Sequence, residues 1–286
     1  MSSAVEQIRA AGGTRMRGPS ALTDDWRRTA NLTWTLAYLE FRLKFFGSVL
    51  GYLWQIGRPL MLFGVYYIVF TQFVDLSGDV PYYAPTLLAG IMLYQFFSET
   101  TSGAVPSVLT RENLVRKIHF PRIVIPLSVV VTAALNLAVN SIAVGAFMAF
   151  SGVPVRWGWL VMIPVLAMLL AFVTGLAMLL SALFVRYRDI APIWDVVTTA
   201  TFYATPILYP IESVKIEWAQ ELIMCNPLAA VVQQIRHSMF DPGAPSAADA
   251  IGGYPLLLIP IGITLGLLVI GFWVFNRAAP EVAENL

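Results

Sequence analysis

From Leu50 onward the chain alternates long apolar runs with short polar stretches, a pattern that predicts a set of membrane helices. A hydrocarbon core takes about 20 apolar residues in helical form. Runs of that kind fall at residues 51–74, 84–104, 124–150, 158–184, 191–210 and 255–275. Ahead of the first run the period changes. Leu32, Leu36, Leu39, Leu43 and Phe46 recur at helical spacing, while Thr35, Glu40, Arg42 and Lys44 lie off that stripe, so an amphipathic helix is expected over 24–46. Trp34, Tyr38 and the basic residues at its end suit a helix lying in the headgroup plane; the alternative is a helix packed on a soluble domain. Gly47 and Gly51 then let the chain turn into the bilayer.

The polar stretches set the orientation. Fourteen lysines and arginines fall on one side of this six-span scheme: seven before the first run, four in the second loop, then Arg186, Arg188 and Arg277. Arg156, Lys215 and Arg236 fall on the other. The positive side faces the cytoplasm, which places both termini there in a multi-pass protein. Residues 1–22 read as a mobile cytoplasmic segment and 23–286 as a single membrane domain. Residues 1–30 have no apolar core of the signal-peptide kind, so the first run is expected to act as its own insertion signal. Two connections have a pattern of their own. In the second loop, Leu114, Val115 and Ile118 alternate with basic residues and predict a short helix over 110–119. On the outer side, Leu228, Val231, Val232, Ile235 and Met239 form a stripe after Asn226-Pro227, and Ile216–Met224 forms a second short apolar segment. Both are too short to span and are read as re-entrant or interfacial helices over 212–240.

Composition narrows the chemistry. The chain is 58% hydrophobic and 12% charged, against roughly 25% charged in soluble domains. One cysteine, Cys225, and two histidines, His119 and His237, leave no basis for a disulfide or a metal cluster. No GxxxxGK[ST], HExxH or GxSxG motif occurs, so neither a phosphate loop nor a hydrolase signature is present. Three ionisable residues, Arg58, Glu99 and Asp195, fall inside the apolar runs. Such residues mark pathways; the alternative is that Arg58 snorkels or pairs with one of the acids. Phe63, Tyr66, Tyr67, Phe70, Phe202, Tyr203 and Tyr209 are dense in the first and fifth runs. Interfacial belts account for some of them, but rings deep in a span also suit the flat faces of sugar rings. Ala167, Ala171 and Gly175, and likewise Gly262 and Gly266, recur every fourth position, which serves helix packing within the chain or a dimer seam.

The run Arg42-x-Lys44-x-x-Gly47-Ser48-x-Leu50-Gly51-x-Leu53-Trp54, followed by Pro59-Leu60, resembles the start of the first span in ABC-2 type permeases. Asn113-Leu114-Val115, Lys117, Phe120-Pro121-Arg122, Arg186-Tyr187-Arg188-Asp189, Thr205-Pro206-Ile207 through Tyr209, and Asn226-Pro227-Leu228 continue the likeness in order from about residue 25 to the C-terminus. The fold implied is an all-α integral membrane protein of six transmembrane helices, the ABC-2 exporter permease fold, with an N-terminal interfacial helix and short external helices before the last span. The resemblance implies a homodimer joined to two copies of a separate ABC ATPase, located in the bacterial cytoplasmic (inner) membrane. The chain itself is then not an enzyme and holds no cofactor; ATP and Mg belong to the ATPase. The cargo implied is an undecaprenyl-pyrophosphate-linked glycan, of O-antigen, teichoic-acid or capsular type, and not nucleic acid. Arg111, Glu112, Asn113, Leu114, Val115, Arg116, Lys117 and His119 become candidates for coupling to the ATPase. Arg42, Lys44 and Arg58 are candidates for meeting the lipid pyrophosphate, the seven aromatics named above for lining a channel, and Asn226, Pro227 and Leu228 for an outer gate. A permease for a drug or simple lipid, or a non-transport subunit of glycan assembly, are the competing readings.

Overall fold

The computed structural model describes residues 26–45, 49–74, 80–111 and 121–284. The described residues are mainly helical and contain no strand. An amphipathic helix α1 (Trp26–Phe45) precedes α2 (Val49–Ile68), which continues through a wider π-type turn over Val69–Phe73. Next come α3 (Tyr83–Ala104), the single turn α4 (Ser107–Thr110), α5 (Val124–Phe150), α6 (Met162–Arg186) and α7 (Ile190–Ala204). Three short helices follow, α8 (Glu217–Met224), α9 (Pro227–Ile235) and α10 (Ala247–Ala250), and then α11 (Leu258–Glu284). Among the described residues, four stretches are long and apolar enough to cross a membrane: Trp54–Phe73, Val124–Phe150, Trp157–Arg186 and Tyr254–Ala278.

Two of the six expected spans fall outside that group. α3 is 22 residues long, but Gln95, Ser98, Glu99, Thr100, Thr101 and Ser102 make its second half polar. In the run expected over 191–210 the helix is shorter than the run. α7 has 15 residues and ends at Ala204, about 22 Å at 1.5 Å per residue. The residue before a proline is pushed out of helical geometry, and Thr205, ahead of Pro206, has φ −91 and ψ 135. Ile207 and Leu208 then bury their side chains in irregular backbone.

The centre of the bundle is α6, packed on α11, α3, α5 and α9. Its ring stack with α3 is close to parallel, Phe97 on Phe172 at 5.9 Å between centroids and 9° between planes. Gly175 sits where α6 meets α11: a Cβ there would lie 2.6 Å from Leu268 N and 2.7 Å from Leu267 C. Gly262 and Gly266, by contrast, have nothing within 4 Å of their Cβ positions. α9 is sunk into the bundle with every residue from Pro227 to Val232 buried, Gln233 and Ile235 included. Asn226 caps it, its Oδ1 accepting from Leu228 N at 3.0 Å, and Pro227 at the first helical position needs no N–H partner. Behind it the buried Arg236 donates to Glu212 at 2.8 Å and to Asp241 at 3.3 Å, tying the short helices together.

α1 packs along α5, and it does so with an unexpected face. Thr29, Thr33 and Ala37, at four-residue spacing, are the buried positions. Leu39 and Leu43 of the leucine stripe stay exposed, at 51% and 61%. Small residues let the two backbones approach, with Thr132 Oγ1 of α5 donating to Ala37 O at 3.3 Å. The leucine side is thereby left for another apolar medium, as an interfacial helix requires. Further along the packed face, Glu40 pairs with Arg111, which also donates to Ser128 Oγ at 3.0 Å and Ile125 O at 3.2 Å. Burial pushes the Glu40 carboxyl above its ordinary range, although the neighbouring Arg111 pulls the other way. Arg111→Met strands that carboxylate, at an expected cost of about 1–3 kcal/mol. Thermal unfolding in detergent checks this through the double variant with Glu40→Gln, which should lose less than the sum of the two single losses.

Candidate functional site

A recess opens between α2, α3 and α7, and its volume of about 680 Å³ is within the usual range for ligand sites. α2 contributes Trp54, Gln55, Arg58, Leu62 and Tyr66, one helical face at four-residue spacing. α3 contributes Ile91, Tyr94, Gln95, Ser98, Glu99 and Ser102, again one face, and α7 contributes Thr199, Phe202 and Tyr203. Lys44, from the end of α1, closes one end.

The charged residues of the lining are Lys44, Arg58 and Glu99. Lys44 Nζ donates to Glu99 Oε1 at 2.6 Å, and Asn136 Nδ2 donates to the same oxygen at 2.6 Å. One carboxylate thus joins α1, α3 and α5 and is held by two donors. Arg58 is exposed and has no ion-pair partner among the described residues; Asp195 is likewise exposed and unpaired there. Glu99 therefore takes Lys44, not Arg58, as its counter-ion. That leaves the Arg58 guanidinium as the uncompensated charge of the cleft. Gln55 Nε2 is buried and has no hydrogen-bond partner among the described residues.

The other wall is aromatic and held in position. Tyr94 Oη donates to Thr198 O at 2.8 Å, fixing α3 against α7. Its ring lies 4.7 Å from that of Phe202, which in turn lies 5.6 Å from Tyr66 and 5.3 Å from Tyr203. These separations match favourable tilted and edge-to-face packing. The result is an aromatic surface drawn from three helices, with Gln95, Ser98, Ser102 and Thr199 beside it.

The residues expected from the sequence divide accordingly. Lys44, Arg58, Tyr66, Phe202 and Tyr203 meet in the cleft. Arg42 does not line it; its guanidinium lies 5.9 Å from the Tyr38 ring. Phe63 packs edge-on against Phe147 of α5 at 5.4 Å, Tyr67 neighbours Tyr83 at 6.4 Å, and Phe70 rests against the core. Tyr209 Oη donates to Tyr203 O at 3.2 Å from behind the wall. Asn226, Pro227 and Leu228 form the start of α9, with Leu228 fully buried in the core. Of the loop candidates only Arg111 is described; Glu112, Asn113, Leu114, Val115, Arg116, Lys117 and His119 lie outside the described residues. Gln55, Gln95, Ser98, Ser102 and Thr199 were not singled out from the sequence, because an uncharged polar residue in an apolar run breaks no pattern. The helical spacing of Gln95, Ser98, Glu99 and Ser102 was the signal available.

Comparison with known proteins points the same way. The chain is 27% identical over 250 residues to the O-antigen export system permease protein RfbA of Klebsiella pneumoniae, covering 86% of this chain and 92% of that protein. It is 28% identical over 255 residues to the O-antigen export system permease protein RfbA of Myxococcus xanthus, covering 88% and 94%. The pattern of the family described as "ABC-2 type transporter" matches residues 31–240, from within α1 through to the turn after α9. With that pattern over about three quarters of its length, and four helices able to cross a bilayer, this multi-pass membrane chain belongs to the ABC-2 type transporter family.

Proposed function

We propose that this chain is the membrane subunit of an ATP-driven exporter that carries an undecaprenyl-pyrophosphate-linked polysaccharide from the cytoplasmic to the outer side of the inner membrane. The observation that carries the reading is the cleft between α2, α3 and α7, which joins a cationic end to an aromatic wall. A pyrophosphate is a dense anion, and a guanidinium recognises it through paired, charge-assisted hydrogen bonds. Arg58, free of a carboxylate partner among the described residues, is placed for that role, with Lys44 beside it and Arg42 toward the headgroups. Sugar rings then lie against Tyr66, Tyr94, Phe202 and Tyr203, while Gln55, Gln95 and Thr199 meet their hydroxyls. The relatives named as O-antigen export permeases support a glycan cargo. A permease for a drug or simple lipid would need a mainly aliphatic cavity, and this lining is polar and aromatic.

In this reading α2, α3, α5, α6, α7 with the segment after it, and α11 are the six spans, and the end bearing α1 and Arg111 faces the cytoplasm. Two copies of the chain form the exporter, each joined to a separate ATPase that holds ATP and Mg. The segment 110–119 docks into that ATPase, and α8 and α9 cover the outer end with Asn226, Pro227 and Leu228 at the gate. Co-purification with an ABC ATPase tests the arrangement. Leu114→Asp and Lys117→Glu are each expected to lose the ATPase, or to keep its hydrolysis while export stops. Normal export by both variants would remove 110–119 from the mechanism. Failure of any ATPase to bind the unaltered chain would remove the exporter reading itself.

A further inference from the structure

A second recess, of about 270 Å³, lies between the ends of α6 and α11, away from the cleft. Its walls are Ala182, Leu183 and Val185 of α6 and Val274 and Ala278 of α11, and its rim is Arg186, Tyr187, Trp273 and Arg277. Gly175 brings the two helix backbones together at Leu267 and Leu268. About 11 residues later on α6, and about 9 on α11, each helix carries an arginine, roughly 14–16 Å further along. Beyond that approach Met178, Ala182 and Phe275 pack together, and small residues such as Ala182 and Ala278 leave the recess at the helix ends unfilled.

The rim carries two arginines, Arg186 and Arg277. Among the described residues neither has a carboxylate partner. Arg186 Cζ lies 5.7 Å from the Tyr187 ring, and Arg277 Cζ lies 5.6 Å from the Trp273 ring, one helical turn earlier on the same face. Stacking on a ring holds a guanidinium's position while leaving its N–H edge free to donate. Tyr187 and Trp273 are themselves 52% and 58% exposed, as rings at a membrane boundary are. An arginine at a membrane edge serves orientation without any recess between it and another. Here an aliphatic wedge opens directly beneath the two.

We infer that this recess binds an acidic glycerophospholipid of the surrounding leaflet, with Arg186 and Arg277 on the headgroup phosphate and the start of an acyl chain along Ala182, Val185, Val274 and Ala278. Basic pockets between membrane helices suit such lipids, and the lipid fills the recess between the two helix ends. The site is separate from the polysaccharide cleft and does not depend on the cargo assigned to it.

Native mass spectrometry of the full-length chain in mild detergent, titrated with phosphatidylglycerol and with phosphatidylcholine, tests the inference. Phosphatidylglycerol is expected to bind more tightly. Arg186→Gln/Arg277→Gln weakens it about 30-fold, from two surface charges, and leaves phosphatidylcholine unchanged. Ala278→Phe fills the wedge with both arginines intact and weakens phosphatidylglycerol as well, whereas Arg156→Gln, which lies outside the recess, does not. Equal affinity of the double variant and the unaltered chain for phosphatidylglycerol overturns the site. Displacement of that lipid by millimolar inorganic phosphate overturns the lipid assignment, because the recess would then be taking free anions.

Discussion

Gly175→Ala is expected to lower the stability of the protein by more than about 3 kcal/mol, although it adds one methyl group. The new Cβ has nowhere to go: its neighbours would be the backbone of Leu267 and Leu268 at 2.6–2.8 Å, and backbone cannot rotate aside as a side chain can. α6 and α11 must move apart along the most extensive helix contact in the bundle, and α6 also supports α3, α5 and α9. Gly262→Ala and Gly266→Ala are the controls. Their Cβ positions meet nothing within 4 Å, so each should be neutral or gain up to about 1 kcal/mol from better helix propensity. Thermal unfolding of the three purified variants measures the contrast. A Gly175→Ala protein as stable as the other two would show that the helices do not meet there.

The second large effect is electrostatic. Arg58→Glu is expected to cut export about 10- to 100-fold, matching the ~1.5–3 kcal/mol of a hydrogen bond to a charged group, and Arg58→Lys should fall between. Lys44→Gln should also impair export, for an indirect reason. Lys44 neutralises Glu99 at 2.6 Å, so its removal leaves a carboxylate in the path of an anionic cargo. The double variant Lys44→Gln/Glu99→Gln removes that carboxylate and should recover part of the loss. Uptake of a lipid-linked glycan into inverted membrane vesicles provides the measurement. No recovery in the double variant would mean that the Lys44–Glu99 pair serves to fasten α1 to α3, and not to set the field in the cleft.

These two predictions mark where the sequence was legible. The 124–150 run matches α5 from Val124 to Phe150, because an unbroken apolar stretch after Pro121 leaves little choice of start. Within the 191–210 run the helix ends at Ala204, a break that Pro206 imposes and that Ile207 and Leu208 hide by keeping the hydropathy high. Small-residue spacing singled out Gly175, which packs within the chain, whereas Gly262 and Gly266, read for helix packing or a dimer seam, meet nothing within 4 Å in this chain. The actual approach is at Leu267, Leu268 and Gly271, a match of two surfaces that no single-helix spacing encodes. In α1 the leucine stripe was visible, yet the face that packs on protein is Thr29, Thr33 and Ala37, small residues that hydropathy ranks low. The cleft was half legible. Charged and aromatic residues stand out in an apolar run, whereas Gln55, Gln95 and Thr199 acquire meaning only once three helices bring them together.

The central claim is that the polysaccharide lipid passes through the cleft between α2, α3 and α7. Site-specific photo-crosslinking tests it most directly, with a benzophenone side chain placed at Thr199, inside the cleft, or at Ile142, which is 72% exposed on α5 and outside it. In membranes loaded with the lipid-linked glycan and supplied with ATP, crosslinks to the glycan should form at Thr199 and be absent at Ile142. Crosslinking of the glycan at Ile142 with none at Thr199 would place the path elsewhere and contradict the assignment of the cleft.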